Sequence, residues 1–216
     1  MGHRRAVLAI LLGAGLWAGA LGTVGRVAAE TPGDAARGRA VFEEKGCVRC
    51  HLPRAQGQGM GPPVEEISRP QGALYLAGRL WNHAPGMLAA FGQAGLRWPE
   101  MAREHMADLM AYLQADASRD PAPDFFQGQV MLIRKGCLKC HRLRGEGGSV
   151  AIDLSRYHGR YESPVVWATT IWNHAPRMAA HTARLGLLYP RFAGDEMRNL
   201  VEFLRRATEV APRQSP

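Results

Sequence analysis

The sequence predicts an all-α fold built from two homologous helical units. The first observation is self-similarity at a nearly fixed offset. Gly38, Phe42 and Lys45-Gly46 return ninety positions later as Gly128, Leu132 and Lys135-Gly136. After one inserted residue, Trp81-Asn82-His83-Ala84-Pro85 returns as Trp172-Asn173-His174-Ala175-Pro176, and Met87, Pro99 and Met106 return as Met178, Pro190 and Met197. The second observation is periodicity: Met197, Leu200, Val201 and Leu204 recur at helical spacing, and no stretch alternates convincingly as a strand. The third is length, since 216 residues allow one large domain or two small ones. The expected division is a leader over 1–29, a first domain over 30–119 and a second over 120–216.

In each unit a short helix comes first, over 34–46 and 125–136, and a glycine ends it (Gly46, Gly136). Asp124 is a plausible N-cap for the second of these. Residues 57–63 read as loop. Middle helices are expected over 72–82 and 163–173, and closing helices over 100–115 and 191–207. Between the units, residues 117–124 are polar and carry two prolines, which reads as an interdomain linker. Met106 and Met197 fall at core spacing within the closing helices and read as packing.

Each opening helix leads into a five-residue motif: Cys47-Val48-Arg49-Cys50-His51 and Cys137-Leu138-Lys139-Cys140-His141. Cys-x-x-Cys-His is the attachment site of a covalent haem. The thiols add to the two porphyrin vinyl groups, and the adjacent imidazole becomes the proximal iron ligand. The chain has four cysteines, all in these motifs. A zinc site from two Cys-x-x-Cys pairs usually separates them by about 15–20 residues, whereas ninety positions separate Cys47 from Cys137. A thioredoxin-like dithiol needs a βαβ context that is missing. The cofactors expected are therefore two haem c groups, each with iron, held by Cys47, Cys50 and His51 and by Cys137, Cys140 and His141.

The N-terminus fits that chemistry, because such haems are attached outside the cytoplasmic membrane. Met1 to Arg5 is a basic n-region, Ala6 to Gly25 is uncharged, and Val27-Ala28-Ala29 offers a cleavage site before Glu30. The expected location is periplasmic or otherwise extracytoplasmic. The alternative is an uncleaved anchor, since about 20 apolar residues can span a bilayer. Five glycines in the run weaken that alternative.

The formal charge is +8, but the two halves differ: residues 30–120 carry net −1 and residues 121–216 net +6. An acidic redox partner docking on the second half is the matching expectation. Solvated arginines are the plainer one. Nucleic acid is not implied.

On these residues the chain resembles a duplicated class I c-type cytochrome over 33–116 and 124–208, and most of all the tandem dihaem cytochromes c. The resemblance implies two small cytochrome c-like helical domains, each wrapped around one haem, and outer-sphere electron transfer. In that family the first and last helices cross, and a small residue such as Gly38 or Gly128 allows close approach to an aromatic such as Tyr112 or Phe203. A backbone carbonyl in a Gly-Pro-x-Leu-like segment accepts the proximal Nδ1–H. Gly61-Pro62-Pro63-Val64 matches that segment. The second unit has Ile152 in the proline position, which still leaves a carbonyl.

The distal side departs from the pattern. Many members place a Met directly before Pro-x-Phe, but Trp98-Pro99 and Tyr189-Pro190-Arg191-Phe192 put aromatics there. The repeated candidates are Met87 and Met178, with His83 and His174 as alternatives. The Met is expected in an extended turn leaving the middle helix, where a distal loop should run. The His is expected near the helix end, capping carbonyls. Trp81 and Trp172 are expected on the porphyrin edge. His105, His158 and His181 lack repeat counterparts and read as ordinary surface or core residues.

The function expected is an exported dihaem one-electron carrier between redox proteins, with no catalytic residues. A low-spin six-coordinate haem has no open position for substrate. The alternatives are a dihaem enzyme of the peroxidase or sulfur-oxidising type, or a subunit of a membrane-associated oxidoreductase. Arg177 against Gly86 is the one difference within the distal cassette.

Overall fold

The computed structural model describes residues 32–156, 161 and 163–209, which lie in one compact unit. The leader, its cleavage site and His158 fall outside the described residues.

Helix α1 (Ala35–Glu44) starts at Asp34, whose carboxylate accepts from the Arg37 N–H at 2.8 Å. Helix α5 (Phe125–Arg134) starts the same way at Asp124, which accepts from the Gln127 N–H at 3.0 Å, as the sequence predicts. Each satisfies an amide with no partner in its own helix. Gly46 and Gly136 follow the two helices in the left-handed region, at φ 76° and 71°. A side chain there would be strained, so glycine lets the chain turn into the Cys-x-x-Cys-His segment.

A short α2 (Val64–Ile67) follows the first motif. The closing helices are α4 (Arg103–Tyr112) and α7 (Glu196–Glu209). Helix α1 packs on α4 and α5 on α7. The contacts depend on glycine. A Cβ on Gly38 would overlap the Asp108 carbonyl oxygen and stand 2.7 Å from the Tyr112 Cβ. One on Gly128 would overlap the Asn199 carbonyl oxygen and stand 2.6 Å from the Phe203 Cβ. Phe42 packs on Tyr112 and Phe125 on Phe203, with ring centroids 5.5 and 5.2 Å apart. Both crossings thus show the expected glycine-to-aromatic contact.

The middle helices depart from expectation. Helix α3 (Ala73–Gln93) and helix α6 (Pro164–Arg184) each run 21 residues, through Pro85 and Pro176. The sequence reading ends them before those prolines. A proline inside a helix costs about 3 kcal/mol, because it removes one amide donor and crowds a carbonyl. Packing on both sides of it offsets that cost: Trp81, Ala84 and Phe91 are buried along α3, and Trp172, Ala175 and Thr182 along α6. Met87 and Met178 therefore sit on helix, not in an extended turn.

The segment expected as a linker is also structured. Residues 117–119 form a 3-10 turn, and Asp120 accepts from the backbone N–H of Leu74 at 2.9 Å and of Tyr75 at 3.2 Å, capping α3. Four two-residue strands also occur among the described residues. β1 (Gln71–Gly72) pairs in parallel with β2 (Ala115–Asp116), and β3 (Arg142–Leu143) pairs antiparallel with β4 (Glu146–Gly147). Two residues are too few for alternation to register.

Helices α3 and α6 pack on each other. Each also packs on the closing helix of the other half, α3 on α7 and α6 on α4. Small buried residues, Ala77 and Ala84 on α3 and Ala168 and Ala175 on α6, let the backbones approach. One continuous apolar cluster runs through both halves. Met106 and Met197 are among its most buried side chains, as their spacing predicts. No helix among the described residues is long and apolar enough to cross a membrane.

Candidate cofactor sites

The two motifs fold alike. After the left-handed glycine, Cys47–Arg49 and Cys137–Lys139 each form a 3-10 turn. The backbone N–H of His51 donates to the Cys47 carbonyl at 3.0 Å, and that of His141 to Cys137 at 2.9 Å. Each imidazole is then fixed from behind. Nδ1 of His51 lies 2.8 Å from the Pro62 carbonyl oxygen, and Nδ1 of His141 lies 3.0 Å from that of Ile152. A carbonyl can only accept, so Nδ1 carries the proton and Nε2 keeps its lone pair. The second unit thus keeps the bond without the proline. Its loop is held by Ala151 N–H to the Cys140 carbonyl at 2.9 Å, the counterpart of Gly61 to Cys50 at 3.0 Å.

Both imidazoles open on apolar cavities. At His141 the cavity measures about 310 Å³ and is fronted by Cys137, Leu154, His174 and Met178. At His51 two adjoining cavities of about 80 and 240 Å³ share Cys47, Pro62, His83 and Met87. Burial pushes the Cys47 and Cys137 thiols up to about 11. They are neutral sulfurs on apolar walls, unlike the depressed thiolates of a redox dithiol. No group of three or more His, Cys, Asp or Glu among the described residues could hold a metal ion. An apolar cavity fronted by the first thiol of a Cys-x-x-Cys-His motif and by its imidazole fits a covalently attached porphyrin.

The distal side is formed by α3 and α6. His83 and Met87 are one turn apart on α3, as are His174 and Met178 on α6, so each pair shares a face. The two histidines differ. His83 is exposed, and its Nδ1–H donates to the Arg79 carbonyl at 2.7 Å. His174 is half-buried, and its Nε2 has no hydrogen-bond partner among the described residues. Its ring centroid is 6.1 Å from that of His141. Burial, followed by the nearby His141 and Arg177, pushes His174 down to about 4, leaving the ring neutral.

Trp81 and Trp172 do not line the cavities of their own halves. The Trp172 indole N–H donates to the Pro99 carbonyl at 2.7 Å, and Trp172 fronts both cavities at His51. The Trp81 indole N–H donates to the Pro190 carbonyl at 2.7 Å, and Trp81 fronts the cavity at His141. Asparagine amides clamp the same segments. Asn82 binds the backbone of Phe192 through N–H at 2.8 Å and C=O at 2.6 Å. Asn173 binds that of Met101 through N–H and C=O, both at 2.9 Å. The repeat identified these four residues. Their partners, 72 to 110 positions away, left no local signal.

The remaining histidines differ in setting. His181 lies 3.0 Å from the Arg184 guanidinium, and His105 has a buried Nδ1 with no hydrogen-bond partner among the described residues. Met197, besides packing, accepts the Trp167 indole N–H at 3.1 Å and fronts the second cavity.

No curated protein and no solved structure matches the chain. A family model described as Cytochrome c matches residues 35–115, which contain the first motif, α3 and α4. That family binds covalent haem c, serves haem-based electron transfer and is typically extracytoplasmic. The match over 35–115, together with the geometry at His51, supports a c-type cytochrome domain in that segment.

Proposed function

We propose that the chain is an exported dihaem c-type cytochrome that carries single electrons between redox proteins. One observation carries this reading beyond the matched segment: the second half repeats the hydrogen bond behind the imidazole, with Nδ1 held by a carbonyl eleven residues on in both. The haem supplies a reversible one-electron couple. The chain sets its potential through axial ligand, burial and hydrogen bonding.

In this reading His51 and His141 are the proximal ligands. At the second site His174 is the distal ligand in place of Met178, supported by its partnerless Nε2 and by the 6.1 Å ring separation. Both rings front the same cavity and would hold the haem iron there. At the first site Met87 is the distal ligand. Met87 packs against the core, whereas His83, which fronts the same cavities, is exposed. Met raises the potential relative to His, so the first site is the higher-potential one. Electrons then pass from the second half to the first.

The second half is the entry face. Arg142 and Arg177 stand exposed where the first half has Leu52 and Gly86, and an acidic donor fits there. A potentiometric titration tests the function. Two separate one-electron steps, with both oxidised haems low-spin, are expected. A high-spin haem that turns over peroxide opposes the carrier reading.

A further inference from the structure

We infer that each half completes the cofactor site of the other: Trp172 closes the site at His51 and Trp81 closes the site at His141. This inference rests on the dihaem reading for its second arm only. Trp172 fronts the cavities at Cys47 and His51. Trp81 fronts the cavity at Cys137 and His141. Among the described residues neither indole lines the cavity of its own half.

Helical spacing explains the exchange. On α3, Leu76, Leu80, His83 and Met87 front the first site. Ala77, Trp81 and Ala84 lie about 100° round the helix from neighbours on that face and are buried. Helix α6 repeats this: His174 and Met178 front the second site, while Ala168, Trp172 and Ala175 are buried away from it. Because α3 and α6 pack on each other, each indole passes its partner helix and reaches the far half. Its N–H finds the carbonyl of the proline that precedes the closing helix there, at 2.7 Å in both directions.

A second set of contacts locks the position. Trp81 stacks on Tyr189 with centroids 4.8 Å apart, and Trp172 on Trp98 at 4.3 Å. These aromatics occupy the slot before the proline. The asparagine next to each Trp binds backbone on the far side of the same proline, at Phe192 and Met101. Each pre-helical segment is thus held on both flanks by the other half. A buried indole excludes water from the cavity it fronts, and water exclusion is one of the quantities that set a haem potential. Trp81 and Trp172 are therefore positioning residues whose effects appear in the opposite half.

The test uses the intact holoprotein, reduced, by two-dimensional NMR. Haem resonances are assigned to a half through their thioether links. The indole protons of Trp172 are expected to show Overhauser contacts to the haem bound by Cys47 and Cys50. Those of Trp81 should contact the haem bound by Cys137 and Cys140. Contacts from each indole to the haem of its own half, or to neither haem, overturn the inference. Trp172→Phe is expected to shift the midpoint potential of the first haem alone, and Trp81→Phe that of the second alone; the reverse assignment, or no shift, counts equally against it. Whole-protein mass gives the number of haems separately. A chain with one haem would refute the dihaem reading while leaving the Trp172 contact to decide the inference.

Discussion

The imidazole rings of His141 and His174 both front the second cavity, edge-on with centroids 6.1 Å apart, and the His174 Nε2 has no hydrogen-bond partner among the described residues. A buried nitrogen without a partner costs about 1–3 kcal/mol. A metal bound there removes that cost. His174→Ala should therefore convert one haem to high-spin, while Met178→Ala leaves both low-spin. At the first site Met87→Ala should abolish the weak near-infrared sulfur-to-iron band, and His83→Ala should retain it. Optical spectra of the four oxidised variants check this. A band lost with Met178→Ala would return the second site to the thioether.

Asp108 is buried and holds α4 against α1. Its carboxylate accepts from the Asp34 backbone N–H at 2.7 Å and from Arg37 Nε and Nη2, both at 2.8 Å. The Arg37 hydrogen bond holds its carboxyl below the ordinary carboxylate value. A depressed folded pKa means that this stability is fully present above the ordinary Asp value and is lost as pH falls through the folded one. Asp108→Ala should cost about 1–3 kcal/mol at neutral pH, and the difference from the parent should shrink in acid. Denaturant melts at several pH values measure it. The second half places Asn199 at this position, accepting from the Asp124 N–H at 2.8 Å, so Asn199→Ala should show no such pH dependence.

Gly38→Ala tests the helix crossing. Alanine gains about 1 kcal/mol of helix propensity over glycine, but its Cβ would overlap the Asp108 carbonyl oxygen. Overpacking of this kind costs typically ~1–3 kcal/mol and sometimes more, and backbone on the far side leaves little room to relax. A lowered melting temperature is expected. Gly92→Ala, with nothing within 4 Å of its Cβ, should leave stability unchanged or raise it.

Asp120 caps α3 through the Leu74 and Tyr75 amides. Asp120→Ala should cost about 0.5–2 kcal/mol, with Asp120→Asn recovering most of it. Thermal melts compare the two.

These cases mark what the sequence discloses. Asp124 was legible as a cap because its partner is three residues away, whereas Asp120 was not, because Leu74 lies 46 positions back. Gly46 and Gly136 announced the turn into each motif, since their role is local. The helices running through Pro85 and Pro176 were misjudged because proline's local cost is outweighed by burial that depends on the other half. The repeat identified Trp81, Asn82 and their counterparts as important. It could not say that they act across the α3–α6 contact, since periodicity gives a face and not the neighbour on it. His83 and His174 hold identical places in the repeat yet differ in burial and hydrogen bonding, which only packing decides.

Charge should govern encounter with a partner. If the net +6 of residues 121–216 steers an acidic donor, the bimolecular rate of reduction should fall as ionic strength rises. Arg142→Glu should lower it further at low salt. Stopped-flow reduction by an acidic electron-transfer protein reads both effects, and a salt-independent rate would remove the docking proposal.

The central claim is that both Cys-x-x-Cys-His segments carry haem. Intact-protein mass spectrometry of the chain purified from a host with haem-attachment machinery decides it directly. The account predicts the mass of the polypeptide plus two covalent haems, falling by one haem in Cys137→Ala/Cys140→Ala and by one in Cys47→Ala/Cys50→Ala. A parent protein carrying a single haem, lost entirely when Cys47 and Cys50 are replaced, would contradict it.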